Sequence, residues 1–259
     1  MINRILIGAC GGLTGSYLVR QFKKTGRCPV VGADVDRWNV TRHFADEFVV
    51  LPNAKDPDFI ETLISVLIDK QIDAYVPTHS REIRMVSQYE QRIRGSWPGK
   101  FLVSPFETFQ KLENKRVANR NMAAIGIPVP TQIDMVGDGV RYPIFMKPNI
   151  GSGSSQSQLI LDEKLHRAYY ELNLDVSFYE FLRGVEYTVD CMFDMSGRLI
   201  GYNPRTRLKS MGGAVIVTQN NYDYDIFPYL ARLQEQYLFR GCVNFQYIVS
   251  DNVPYFIDV

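Results

Sequence analysis

Residues 142–157 read YPIFMKPNIGSGSSQS, a short apolar run that delivers one lysine and then a loop of glycine and serine. Tyr142, Ile144 and Met146 alternate with Pro143, Phe145 and Lys147, which predicts a strand buried on both faces with an ammonium at its end. Pro148 is expected to stop the ladder. Gly151 and Gly153 open the backbone to positive φ, and Ser152, Ser154 and Ser155 add hydroxyl donors, so successive N–H groups can turn toward an anion. The lysine precedes the glycines, the reverse of the order in a P-loop. Two readings stay open on this stretch alone: a phosphate-handling loop, or a hairpin tip with a surface lysine.

The chain has 259 residues, enough for two or three lobes with cores of their own. Hydrophobic residues make up 46% and charged residues 22%, an ordinary globular balance that argues against wholesale disorder. A net charge of +1 with no dense Lys/Arg run speaks against nucleic acid, and no apolar stretch is long enough for a bilayer. Cys10, Cys28, Cys191 and Cys242 stand apart, without metal-ligand spacing, which points to reduced thiols and a cytoplasmic location.

Toward the N-terminus, residues 4–9 read as a strand, GGLTG as a turn and residues 16–24 as a helix. Further strands are expected over 29–33, 48–51, 74–77 and 101–103, with helices over 56–70 and 80–93, so the first hundred residues predict a parallel sheet. Asp56 is the expected cap of the 56–70 helix, with Pro57 at its first position. Gly8, Gly11, Gly12 and Gly15 with Asp34 imitate a dinucleotide fingerprint. Their spacing differs from G-x-G-x-x-G, and a lone glycine-rich turn of this kind more often marks tight packing of helix on strand. Residues 78–82 follow the fourth strand, where open α/β sheets place ligands, and His79 among them reads as a surface loop residue.

The organisation changes near Ser104. Ser104-Pro105 starts a helix, Asn114-Lys115 sits in or before the next one, and GIPVP (126–130) ends that helix. Beyond the opening stretch come a strand at 159–161, a helix at 162–172 and a strand at 178–182. Residues 185–193 put Glu186, Thr188, Asp190 and Met192 on one face and Tyr187, Val189, Cys191 and Phe193 on the other. A strand at 199–203 is followed by a basic stretch with Arg205, Arg207 and Lys209, read as mobile, running into Met211-Gly212-Gly213. A strand at 214–218, a helix at 224–238 and a hairpin pairing 242–249 with 254–259 complete the chain.

Taken in order, Asn114-Lys115 with GIPVP, Lys147 with its glycine-rich loop, Tyr179-Glu180-Phe181-Leu182 with Gly184 and Glu186, and the last hairpin resemble the ATP-grasp superfamily. More closely, they resemble its carbamoyl-phosphate synthetase large-subunit and biotin carboxylase branch, over almost the whole chain. The resemblance implies an α/β protein: an N-terminal parallel-sheet, Rossmann-like pre-ATP-grasp domain over residues 1–104, then α+β ATP-grasp lobes. These would be a small lobe with a glycine-rich lid over 105–182 and a large lobe over 183–259.

It implies an ATP-dependent carboxylate–amine ligase that phosphorylates a carboxylate to an acyl phosphate for attack by an amine or other nucleophile. ATP and Mg²⁺, or Mn²⁺ in its place, are the implied cofactors, and a homodimer is compatible with it. By the same resemblance Lys115, Lys147, Gly151, Ser152, Gly153, Ser154 and Ser155 hold the phosphates. Glu180, Phe181 and Leu182 read the adenine and Glu186 takes the ribose. Gln246, Asp258 and Asn244 are the metal ligands, and Arg207 with Arg205 or Lys209 steadies the transferring phosphoryl group.

The family usually carries Glu at the positions of Gln246 and Asp258, and a neutral amide and a shorter acid weaken a hard-cation site. The chain ends at Val259, one residue before an Asn that the family carries, which implies an incomplete chain. Two alternatives remain beside the ligase: a non-catalytic ATP-binding or regulatory module, and a dinucleotide-dependent oxidoreductase built on Gly8, Gly15 and Asp34.

Overall fold

Ile5, Leu6 and Ile7 are all buried and form β1 (Ile5–Ile7), the inner strand of a parallel sheet in order β3-β2-β1-β4. The chain, described by a computed structural model over residues 2–151, 156–211 and 214–259, divides into two compact units, Met1–Phe106 and Glu107–Val259. In the first unit β2 (Val30–Asp34), β3 (Glu47–Val50) and β4 (Ala74–Val76) complete the sheet. The register Ile5↔Val30 and Ile5↔Ala74 brings the ends of β1, β2 and β4 together. Helix α1 (Leu13–Thr25) links β1 to β2 and α2 (Phe59–Asp69) links β3 to β4, α3 (Ser80–Gln88) and α4 (Glu90–Ser96) follow β4, and two apolar clusters fill the space around the sheet. This is the parallel-sheet domain the sequence predicts.

Several local expectations are corrected here. Residues 101–103 form no strand: a lone bridge joins Ala74 to Lys100, while Phe101 and Val103 are buried in the core and Phe101 stacks on Trp97. Their apolar character serves packing rather than a ladder. The 80–93 helix is two helices, broken at Tyr89, whose φ of −105° and ψ of 22° close α3 and open α4. Asp56 is not the cap of α2; Asp58 occupies that position and Asp56 closes the turn before it, accepting from the Asp58 N–H at 3.0 Å. His79 is, as read, an exposed residue of the loop before α3, which it caps, its Nδ1 accepting from the Arg81 N–H at 3.2 Å.

The second unit follows α5 (Phe106–Leu112) and α6 (Lys115–Ala124) with two antiparallel sheets. The four-stranded sheet runs β5-β8-β6-β7, from β5 (Gln132–Ile133), β6 (Ile144–Pro148), β7 (Gln158–Ile160) and β8 (Val176–Glu180). Helix α7 (Glu163–Glu171) adds Leu165 and Tyr169 to the apolar cluster on one of its faces. The chain passes to the other sheet between Glu180 and Val185. That five-stranded sheet runs β11-β10-β9-β12-β13, from β9 (Val185–Phe193), β10 (Leu199–Met211), β11 (Ala214–Asn220), β12 (Gly241–Ser250) and β13 (Val253–Asp258).

The predicted alternation of β9 holds: Tyr187, Val189, Cys191 and Phe193 join Phe245, Tyr247 and Phe256 in a core closed by Leu230 and Leu233 of α8 (Phe227–Gln236). The β12–β13 hairpin turns through Asp251 and Asn252, both at positive φ, the backbone a two-residue hairpin turn requires. The basic stretch read as mobile is regular strand, since Arg205 and Arg207 lie within β10. The four cysteines are free, and among the described residues no helix is long and apolar enough to cross a membrane.

Candidate functional site

Lys115 owes its position to a cap. Asn114 accepts from the N–H groups of Arg116 and Val117, each at 3.1 Å, and so starts α6 with Lys115 at its first position. Lys147 lies in β6, whose pairing with β8 is Lys147↔Ser177 and Phe145↔Tyr179. By the two-residue period Lys147 shares a face with Asn149, and the Tyr179 ring lies 4.6 Å from the Lys147 ammonium. The two lysines reach one cavity of about 280 Å³.

The cavity is lined by both charged and apolar groups. Lys115 Nζ meets Asp258 Oδ1 at 3.0 Å and donates to the Gly151 carbonyl at 2.8 Å. Lys147 Nζ donates to the Ile257 carbonyl at 2.6 Å. Burial, with Lys147 only 8% exposed, pushes its ammonium down to about 8; Asp258 counters this and the charge on Lys115 adds to it. Phe145, Phe181, Leu182, Ile248 and Ile257 also line the cavity. A mixed lining of this kind suits a flat apolar ring with a polyanionic tail.

The five-stranded sheet supplies the floor. Its register sets Arg205, Thr188, Gln246 and Asp258 in one row across β10, β9, β12 and β13, with Asp190 and Asn244 paired in the next row. Arg207 lies beside Glu186 at 3.2 Å and donates to Thr188 Oγ1 at 3.4 Å. Glu186, Gln246 and Asp258 line the cavity, as do Glu180, Phe181, Leu182 and Gly151. Glu180 is also tied to the neighbouring chain: its Oε1 accepts from the Thr131 N–H at 2.7 Å and its own N–H donates to the Thr131 carbonyl at 2.9 Å.

Gly184 lets this segment lie against β12, because a Cβ there would stand 1.9 Å from the Val249 carbonyl oxygen. Gly184→Ala is expected to lower stability by about 3 kcal/mol, since backbone cannot yield as a side chain does, read as a shift of the urea midpoint at unchanged slope.

Other candidates are placed elsewhere. Arg205 is held bidentately by Asp190 at 2.6 and 3.1 Å, and the Asn244 amide also donates to Asp190. Neither Arg205 nor Asn244 lines the cavity, and Lys209 is exposed beyond a register shift in β10. Ser152, Gly153, Ser154 and Ser155 lie outside the described residues.

The donor set for a divalent cation is sparse, one carboxylate from Asp258 and one amide from Gln246. Among the described residues no cluster of three His, Cys, Asp or Glu side chains forms. Mg²⁺ is held by one or two carboxylates together with substrate phosphates, so these two residues fit it only alongside a bound polyphosphate.

In the first unit the glycine-rich turn meets its own acid. Asp34 Oδ2 accepts from the Gly11 N–H at 2.7 Å and Oδ1 from the Asp36 N–H at 2.9 Å. A Cβ on Gly15 would stand 2.5 Å from the Ala9 carbonyl oxygen. Both observations favour close packing of α1 on β1 over a ribose-binding acid.

Sequence reasoning missed three groups. Asn149 is one, and Asp190, set aside as a strand-face acid, is another. The third is Glu82, 7% exposed, which accepts from the Tyr75 hydroxyl at 3.3 Å and from the Ala9 and Thr78 N–H groups. Their signal is long-range pairing, which spacing does not carry.

A family model for PylC-like N-terminal domains matches residues 5–96, and one for ATP-grasp proteins in the biosynthetic pathway with Ter operon matches residues 175–259. No curated protein matches the chain. Similar solved structures include the biotin carboxylase domain of Hydrogenobacter thermophilus 2-oxoglutarate carboxylase, a dimer in complex with MgADP, ADP and bicarbonate. It is 13% identical with a TM-score of 0.75, covering 100% of this chain and 63% of that one. The Campylobacter jejuni biotin carboxylase in complex with beta-gamma-ATP is 17% identical at a TM-score of 0.74, with 100% and 65% covered. N5-carboxyaminoimidazole synthetase from Staphylococcus aureus, complexed with ADP, is 12% identical at a TM-score of 0.72, with 99% and 69% covered. The chain therefore spans 63% and 65% of the length of the two biotin carboxylases. It has the ATP-grasp fold of these proteins, as the resemblance implies.

Proposed function

We propose that the second unit binds ATP between its two sheets and that the chain carries the nucleotide site of a carboxylate–amine ligase. The observation that supports this most is the convergence of Lys115 and Lys147, from separate elements, on a cavity that apolar side chains also line. Two cations from different sides neutralise a triphosphate better than either does alone. The adenine packs beside Phe181 and Leu182, and Glu186 accepts from the ribose hydroxyls. Ser152, Gly153, Ser154 and Ser155 belong to the same proposal as phosphate-binding residues.

In the reaction the carboxylate oxygen attacks the γ-phosphorus and ADP leaves. The amine then attacks the acyl phosphate, releasing inorganic phosphate. Lys115 and Lys147 compensate the charge that shifts along the phosphates, and Arg207 steadies the transferred group. Mg²⁺, or Mn²⁺ in its place, would be held by Asp258 and Gln246 with the phosphates and would supply further charge neutralisation. A homodimer and a cytoplasmic location complete the reading. The sparse donor set favours, as second reading, a module that binds ATP without turning it over.

Mg-ATP is expected to stabilise the protein where NADH does not. At about 100 times its Kd a ligand adds about 2.7 kcal/mol, which moves the midpoint of thermal unfolding by roughly 5–10 °C for a chain of this size. Stabilisation by NADH alone would sink the proposal. ADP release that depends on an added carboxylic acid separates the ligase from the second reading, which predicts stabilisation without turnover.

A further inference from the structure

Between the two lysines lies a buried polar knot that no charge pattern announces. Asn149 follows Pro148 directly, so it resumes the pairing with β8 after the one residue that has no N–H to give, donating to the Asp175 carbonyl at 3.1 Å. Its own carbonyl accepts from the Lys115 N–H at 2.8 Å, which fastens the first turn of α6 to the end of β6. Its side chain is satisfied on both sides: Nδ2 donates to Asp175 Oδ1 at 2.7 Å and Oδ1 accepts from Ser177 Oγ at 2.6 Å. Asn149 is 6% exposed and Ser177 4%, and Ser177 is the register partner of Lys147. The knot thus joins the element bearing one lysine to the two strands that seat the other.

We propose that Asn149 is a positioning residue that sets the separation of Lys115 and Lys147, and through it the affinity for the polyphosphate of a nucleotide. The inference rests on the ATP reading above. A fully satisfied buried network holds one geometry, and only an amide, with a donor and an acceptor on one planar group, meets Asp175 and Ser177 together. Aspartate has the same shape but presents an acceptor to the Asp175 carboxylate, so like charges push the segment away from β8. The lysines keep their chemistry in that variant and lose their spacing.

The experiment measures the Kd for Mg-ATP and the urea midpoint of the 259-residue chain and of three variants: Asn149→Asp, Asp175→Asn and the double variant. Asn149→Asp is expected to bind roughly tenfold more weakly, about 1.4 kcal/mol. The double variant restores donor to acceptor with the roles exchanged and is expected to return to within about threefold of the parent. It still carries the aspartate nearest the lysines, so a purely electrostatic effect on the phosphates would persist and overturn the proposal. Unchanged affinity in Asn149→Asp, or a lowered urea midpoint with unchanged Kd in the folded protein, would overturn it too. Ser177→Ala, which removes one donor and adds no charge, supplies the same comparison where Asn149→Asp does not fold. It is expected to weaken binding about threefold, and equal affinity counts against the knot. Failure of the parent chain to bind Mg-ATP at all refutes the nucleotide reading itself, a result distinct from any difference among variants.

Discussion

Lys147→Met is expected to make the protein more stable by about 2 kcal/mol at neutral pH while weakening Mg-ATP binding at least about thirtyfold. Burial holds the Lys147 ammonium at about 8 against an ordinary 10.5, so the folded chain releases its proton before the unfolded chain does. Below about pH 8 the lysine is charged in both states and the whole penalty is present, about 3 kcal/mol by the linkage of proton binding to folding. Between about 8 and 10.5 the unfolded chain holds more protons, so wild-type stability from this group rises with pH, and above 10.5 the penalty is gone. Methionine removes the penalty but leaves the Ile257 carbonyl without its 2.6 Å donor, which returns about 1 kcal/mol. Urea unfolding of the two proteins from pH 6 to 11 checks the sign: the curves lie apart at neutral pH and close above 10. A destabilised variant at pH 7 would refute the argument. The same ammonium loses affinity when removed because a bound phosphate then faces the cavity without its partner, a loss of 2 kcal/mol or more.

That opposition between stability and binding explains why part of the site was legible in sequence and part was not. Lysines at 115 and 147 are conspicuous because each stands where local rules mark it, one behind a helix cap and one at the end of an apolar strand. The two faces of β9 follow from alternation alone, which is why Glu186 and the core residues opposite it are placed correctly.

Arg205 and Arg207 show the limit. Their charges suggested a solvated loop, but Asp190 and Glu186 of the neighbouring strand compensate them, so the segment pairs as strand. Asn244 looked like a metal ligand by its face and its place on β12, which it has, but its amide turns to Asp190 instead. Each of these outcomes depends on a partner at least fifteen residues away in the chain. Residues 101–103 fail for the opposite reason. A short apolar run fits a strand and a packed loop equally, and here Phe101 and Val103 are buried in the core while only a lone bridge at Lys100 reaches β4.

Glu82→Gln is expected to raise stability by about 3 kcal/mol above pH 7 and to leave it unchanged near pH 4. Burial pushes the Glu82 carboxyl up to about 7; the Tyr75 hydroxyl pulls against it, Asp34 adds to it, and the Ala9 and Thr78 N–H groups again favour the charged form. An acid whose folded value is raised contributes its stability below the unfolded value, here 4.5, and loses it as pH rises through about 7. The difference corresponds to about 3 kcal/mol. Glutamine has the size of the protonated acid and the same pairing of one acceptor with one donor group, so it imitates the folded form at low pH and cannot ionise at high pH.

Wild type and variant should therefore unfold at the same urea concentration near pH 4 and diverge between about 4.5 and 7. Parallel curves throughout would show that the carboxyl titrates normally. The retention of a costly acid has a structural reason. Glu82 bonds to Ala9 after β1 and to Thr78 after β4, and Thr78 Oγ1 in turn donates to the Gly8 carbonyl at 2.7 Å. The glycine at position 8 leaves the room, since a Cβ there would stand 2.4 Å from Glu82 Oε2. The acid thus ties together the two loops at the point where the sheet reverses its strand order, the place where open parallel sheets receive ligands.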